Sequence, residues 1–122
     1  RFEGLVARGV VPTRNASVLY VLGRYTPGQV SAPTDLLPFL AGAAHGLPWA
    51  VCAFGRREAA CAVAAAALDG HARVGFENNM HLPDGRIAPG NAPLVAAVAS
   101  AATAFGRRVA SPDEARSIFR RG

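Results

Sequence analysis

"HARVGFENN", residues 71–79, carries the reading of the fold. Its centre, "RVGF", has strand character, yet Arg73 and Glu77 stand four residues apart within the segment. Side chains in a strand alternate faces, so a strand over 72–77 puts Arg73, Gly75 and Glu77 on one side and Val74 and Phe76 on the other. In an open doubly wound sheet helices cover both faces, and a charged face is hard to accommodate. In a closed (β/α)8 barrel one face looks inward. Val74 and Phe76 then pack against helices, Arg73 and Glu77 point into the barrel, and Gly75 leaves room between them. Glu77 would end the strand at the C-terminal mouth, where barrel enzymes place catalytic groups. The alternative is a salt bridge that only holds the strand in register, since such pairs also occur without chemistry.

The segments on either side support the α/β reading. "SVLYVLG" (17–23) and "PWAVCAF" (48–54) are short apolar runs of the kind buried on both faces of a sheet. "RYTPGQVSAP" (24–33) holds two prolines and a glycine and reads as loop. Helices are expected over 2–8, closed by Gly9, and over 35–46, with Pro38 in the first turn and Gly46 as the stop. The alanine-rich run predicts another from about Arg57 to Asp69, stopped by Gly70. Asn91 is expected to cap a helix running to about Phe105. "SPDEARSIFRR" opens with Ser111 as cap, proline at the first helical position and Glu114 three residues after the cap. Strands that alternate with helices imply a parallel sheet.

At 122 residues the chain has room for one domain, and a composition 51% hydrophobic and 17% charged sets it apart from disordered chains. No apolar run reaches the roughly 20 residues of a membrane span. The net charge of +5 comes with thirteen arginines and no lysine. That excess suits anionic groups such as coenzyme phosphates. Five of the arginines crowd the C-terminal tail and no aromatic-and-basic stripe accompanies them, so a nucleic-acid partner is not expected. Cys52 and Cys61 make no CxxC pair, and they read as reduced core cysteines of a cytoplasmic protein.

The three histidines make no metal site of their own. His71 starts the strand that Glu77 ends, roughly 20 Å away at about 3.3 Å per residue. His81 lies four residues past Glu77 in a loop and can approach it, although a solvated side chain is the plainer reading. His45 closes a helix, where a partly positive imidazole suits the dipole.

The order and spacing of "VLYVLG", "LPWAVCAFGR", "RVGFENN", "GNAPLV" and "SPDEAR" resemble the C-terminal portion of the β-keto acid cleavage enzymes, the family that includes 3-keto-5-aminohexanoate cleavage enzyme. The likeness covers essentially the whole chain. It implies a (β/α)8 TIM barrel more than twice this length, of which residues 1–122 form a partial domain holding about strands six to eight, with the N-terminal strands missing. It implies a zinc-dependent enzyme, a homo-oligomer, that converts a β-keto acid and acetyl-CoA to acetoacetate and a new acyl-CoA. Within that resemblance Glu77 matches the metal-binding glutamate whose partners are two histidines from an earlier strand. Arg73 matches the arginine that works with an adjacent acidic residue in activating the substrate. Arg56, Asn79 and Arg24, together with Tyr25, are candidates for lining the mouth or holding coenzyme phosphates.

Two departures stand out. Asn78 occupies the position where the family pattern has the aspartate that pairs with the arginine, and an amide does not accept a proton as a carboxylate does. No His-x-His pair occurs in the chain, and three strands do not close an eight-stranded barrel. The expectation is therefore a part of a longer enzyme, inactive by itself and, with two open sheet edges, poorly soluble or associating. The rival function is a non-catalytic barrel segment that acts only by association with other chains.

Overall fold

The computed structural model describes residues 2–10, 12, 14–42 and 46–120. Three strands form one parallel sheet in the order β1 (Val18–Leu22), β2 (Trp49–Ala53) and β3 (His71–Ala72). Leu22 aligns with Ala53, and Val51 with Ala72. The helices are α1 (Phe2–Ala7), α2 (Leu37–Ala41), α3 (Glu58–Ala67), α4 (Asn91–Ala104) and α5 (Pro112–Phe119). The α/β order read from the sequence is the one observed.

Alternation decides which face of the sheet is covered. Leu22, Val51 and Ala53 share a face and pack with Leu36, Cys61 and Ala65 into the main core. Alanine at 62, 65 and 66 lets α3 lie close to the strands, and all three are buried. On β1 the intervening residues Leu19 and Val21 face outward and stay exposed. Thus one face of β1 is core, and its opposite face is an uncovered apolar surface.

The third strand is shorter than its alternating pattern suggested. It ends at Ala72, with one further ladder bond from the Arg73 N–H to the Val51 carbonyl at 2.9 Å. Distant side chains take the donors that would extend it. The Gly75 N–H goes to Glu58 Oε2 at 3.1 Å, and the Phe76 N–H to Asn91 Oδ1 at 2.9 Å. Gly75 sits at φ +154°, which side-chain-bearing residues rarely adopt, and the chain turns there rather than continuing as a strand. Phe76 is accordingly exposed at the turn, not packed on a helix as alternation required.

Two helical boundaries also differ. The 35–46 segment resolves into a 3₁₀ turn over Pro33–Leu36 followed by α2, and the expected position of His45 at its end lies outside the described residues. Asn91 is the first residue of α4, with Gly90 at the cap, because its side chain is committed to Phe76. The last helix follows its sequence signal closely. Ser111 Oγ accepts from the Glu114 N–H at 3.2 Å, and Glu114 Oε1 accepts from the Ser111 N–H at 2.9 Å.

Candidate active site

The carboxyl ends of β2 and β3 bring the charged residues of the 71–79 segment together. Arg73 stands opposite Cys52 across the ladder, and its Nη2 lies 3.7 Å from Cys52 Sγ. The same nitrogen is 3.7 Å from Glu77 Oε2. The turn after Ala72 thus carries Glu77 back over Arg73 instead of extending it along a strand. Both side chains remain open to solvent, 52% for Arg73 and 78% for Glu77, so their pairing by itself adds little stability.

Asn78 is buried beside this pair, and its Nδ2 has no hydrogen-bond partner among the described residues. It lies near enough to the Cys52 thiol to lower its proton affinity, although not in hydrogen-bonding geometry. Burial nevertheless pushes the Cys52 pKa up, outweighing the pull of the Arg73 charge. Cys52 is therefore a neutral thiol under Arg73. The sequence offered it only as a core cysteine, and its strand position opposite Arg73 is the signal that could have placed it here.

Next to this cluster opens a cleft of about 560 Å³ that Arg56, Glu77, Asn79 and His81 help to line. His81 and Glu77 both line this cleft. The wall from the 24–33 loop is held by short bonds: Thr26 Oγ1 donates to the Val30 carbonyl at 2.7 Å, and Ser31 Oγ donates to the Phe54 carbonyl at 2.7 Å. Of the sequence candidates, Arg56 and Asn79 border the cleft. Arg24 lies over the Tyr25 ring, 5.6 Å from its centroid, and is not among the residues that line the cleft. Arg73 is not part of this cleft's wall; beyond its contacts with Cys52 and Glu77 it lines a second cavity, between β3 and the helices α4 and α5.

Glu58 is the residue that sequence reasoning missed. An acid in the first turn of a helix ordinarily reads as a solvated complement to the dipole. Here it is 2% exposed and accepts from the Gly75 N–H and, at 3.2 Å, from Asn79 Nδ2. Burial raises its pKa, against the lowering effect of those two donors.

A family model described as beta-keto acid cleavage enzyme matches residues 1–120. The chain belongs to that family. It is 40% identical over 92 residues to the 3-keto-5-aminohexanoate cleavage enzyme of Fusobacterium nucleatum, a match covering 75% of this chain and 34% of the relative. The namesake from Acetoanaerobium sticklandii is 40% identical over 93 residues, with the same coverage. A 3-oxoadipate:acetyl-CoA acetyltransferase of Cupriavidus necator is 37% identical over 71 residues, or 58% of this chain and 25% of that protein. The chain spans about a third of the length of the first two relatives.

The zinc implied by the family resemblance needs more than these residues offer. Among the described residues no three His, Cys, Asp or Glu side chains come together as a metal-binding group. Glu77 also faces a guanidinium, which competes with a cation for the same carboxylate. The residues present do not by themselves fit the metal. Nor, among the described residues, is any helix long and apolar enough to cross a membrane.

Proposed function

We propose that the chain supplies strands six to eight, with their helices, of a (β/α)8 barrel enzyme, the partial domain spanning 1–122. The enzyme would convert a β-keto acid and acetyl-CoA to acetoacetate and a new acyl-CoA, as a zinc-dependent cytoplasmic homo-oligomer. Three parallel strands in chain order, separated by helical segments, support the barrel. So does the exposed apolar face of β1, which a closed barrel would turn inward.

The observation that carries the functional reading is the meeting of Arg73, Glu77 and Asn78 at the carboxyl end of β3, beside an open cleft. In this reading the Arg73 guanidinium stabilises negative charge that develops on the keto acid as its carbon–carbon bond breaks. Asn78 orients substrate or water through its unpaired amide, and another carboxylate takes the proton. Arg56 and Asn79 contact the substrate or the coenzyme from the cleft wall. Arg24 would reach coenzyme only by leaving the Tyr25 ring. Glu77 is the ligand this chain would contribute to a metal, and the two histidines of the resemblance have no His-x-His counterpart in these 122 residues.

The test is to incubate the full-length protein with acetyl-CoA and a panel of β-keto acids, and to look by mass spectrometry for acetoacetate together with a matching acyl-CoA. Neither product from any substrate, with a folded and metal-supplied protein, would sink the reading. A second reading, association without catalysis, is favoured for the isolated chain by the exposed Leu19 and Val21. It predicts assembly with other chains and no turnover.

A further inference from the structure

The environment of Glu58 is more demanding than helix packing requires. An apolar side chain of similar volume would fill the same space without burying a charge. Instead the carboxylate meets two donors, the Gly75 N–H at 3.1 Å and Asn79 Nδ2 at 3.2 Å, one on each carboxylate oxygen. Those donors bracket Phe76, Glu77 and Asn78. The bracket is continued by Asn79, whose side chain donates to the His81 carbonyl at 2.6 Å and accepts from the His81 N–H at 3.0 Å. Within the turn, the Asn78 and Asn79 N–H groups both donate to the Gly75 carbonyl at 3.0 Å, and the Asn78 carbonyl accepts from the Gly55 N–H at 3.2 Å.

We infer that Glu58 is a positioning residue: its carboxylate ties Gly75 to Asn79 and so holds Glu77 and Asn78 beside Arg73 and Cys52. The inference rests on the reading of Glu77 and Asn78 as parts of a β-keto acid cleaving site. It identifies the first turn of α3 as the support for that site. A carboxylate suits the task because both of its oxygens accept, whereas the glutamine amide nitrogen would face another donor. Burial disfavours the charged form of Glu58 and raises its pKa, while the hydrogen bonds from Gly75 and Asn79 act against that rise.

The test uses the full-length protein and two readouts on Glu58→Gln: steady-state kinetics with acetyl-CoA and a β-keto acid, and backbone hydrogen exchange. The expected result is a fall in kcat of about 10–100-fold. KM should change by less than about threefold, since the substrate contacts remain. Exchange at Gly75 and Asn79 should quicken while α3 and β2 keep their protection. Glu58→Asp, with both acceptor oxygens retained, should recover part of the lost kcat.

Wild-type kcat with wild-type exchange in the turn would overturn the inference. Faster exchange spread evenly through α3 and the turn would also overturn it, because Glu58 would then serve the fold alone. Should Glu58→Gln not fold, Asn79→Ser breaks the same link from the other side and is read by exchange at Gly75 against that in α3, because Asn79 also lines the cleft and its kinetics would mix the two roles. Failure of both variants to fold would likewise make the link purely structural. A wild-type protein that cleaves no β-keto acid, while Glu58→Gln loosens only the turn, would defeat the proposed function and leave the positioning role standing.

Discussion

Alanine at Gly55 should damage the cleft wall by more than its backbone conformation alone accounts for. Gly55 sits at φ +98°, and a Cβ there would stand 2.8 Å from the Gln29 carbonyl oxygen and 3.2 Å from Val30 Cα. The first contact is about 0.6 Å short of the 3.4 Å at which ordinary contact begins. The carbonyl has little freedom to retreat, because Gln29 is itself held at φ +49° and its N–H donates to the Thr26 carbonyl at 3.0 Å. Thr26 and Ser31 anchor the segment on both sides of it. Positive φ costs an alanine about 1–2 kcal/mol. Crowding against fixed backbone adds about 1–3 kcal/mol. Gly85 supplies the control, with φ +92° and nothing within 4 Å of its Cβ position. Denaturant midpoints at constant m-value should show Gly55→Ala less stable than Gly85→Ala by that crowding cost, about 1–3 kcal/mol. Equal losses at the two sites would refute the reasoning, since the 24–31 segment would then be yielding freely.

Four further outcomes follow from the packing of the C-terminal helices. Arg107 Nη1 donates to the Ala66 carbonyl at 2.8 Å and also to the Gly70 carbonyl, closing the end of α3. Arg107→Ala should cost about 1.5–3 kcal/mol in chemical denaturation. It should also raise the His71 pKa in an NMR titration, because Arg107 adds to the depression that burial causes. Ser111→Ala removes the cap of α5 and should cost about 0.5–2 kcal/mol, measured in the same way. Glu114 is held at a pKa of about 2, first by its hydrogen bonds to Arg108 and then by the Ser111 cap. A depressed carboxylate lends stability above its unfolded value of 4.5 and loses it as pH falls towards about 2, so the start of α5 should loosen across that window. An unshifted Glu114 titration would contradict the Arg108 pairing.

The sequence was most legible where local pattern and tertiary environment agree. β1 and β2 were readable because Val18–Leu22 and Trp49–Ala53 are apolar runs bounded by glycine or proline. The cap of α5 was readable because Ser111 and Glu114 are three residues apart and satisfy each other. The third strand was extended too far because its alternation continues to Glu77, while the groups that end it come from 17 and 15 residues away, on Glu58 and Asn91. The same distance hid Glu58: nothing in its neighbours along the chain indicates that its carboxylate is buried against another segment. Arg73 and Glu77 were singled out on a face-sharing argument, whereas their approach comes from the turn at Gly75.

A double-mutant cycle on Arg73 and Glu77 in the full-length protein, run on both stability and kcat/KM, bears most directly on whether these residues form a reacting site. As an exposed ion pair they should couple by only about 0–1 kcal/mol in unfolding. In kcat/KM the account predicts strong non-additivity, with Arg73→Ala or Glu77→Gln alone costing nearly as much as both together. Additive losses in kcat/KM, or a coupling no larger than that seen in stability, would reduce the pair to a surface salt bridge and contradict the account.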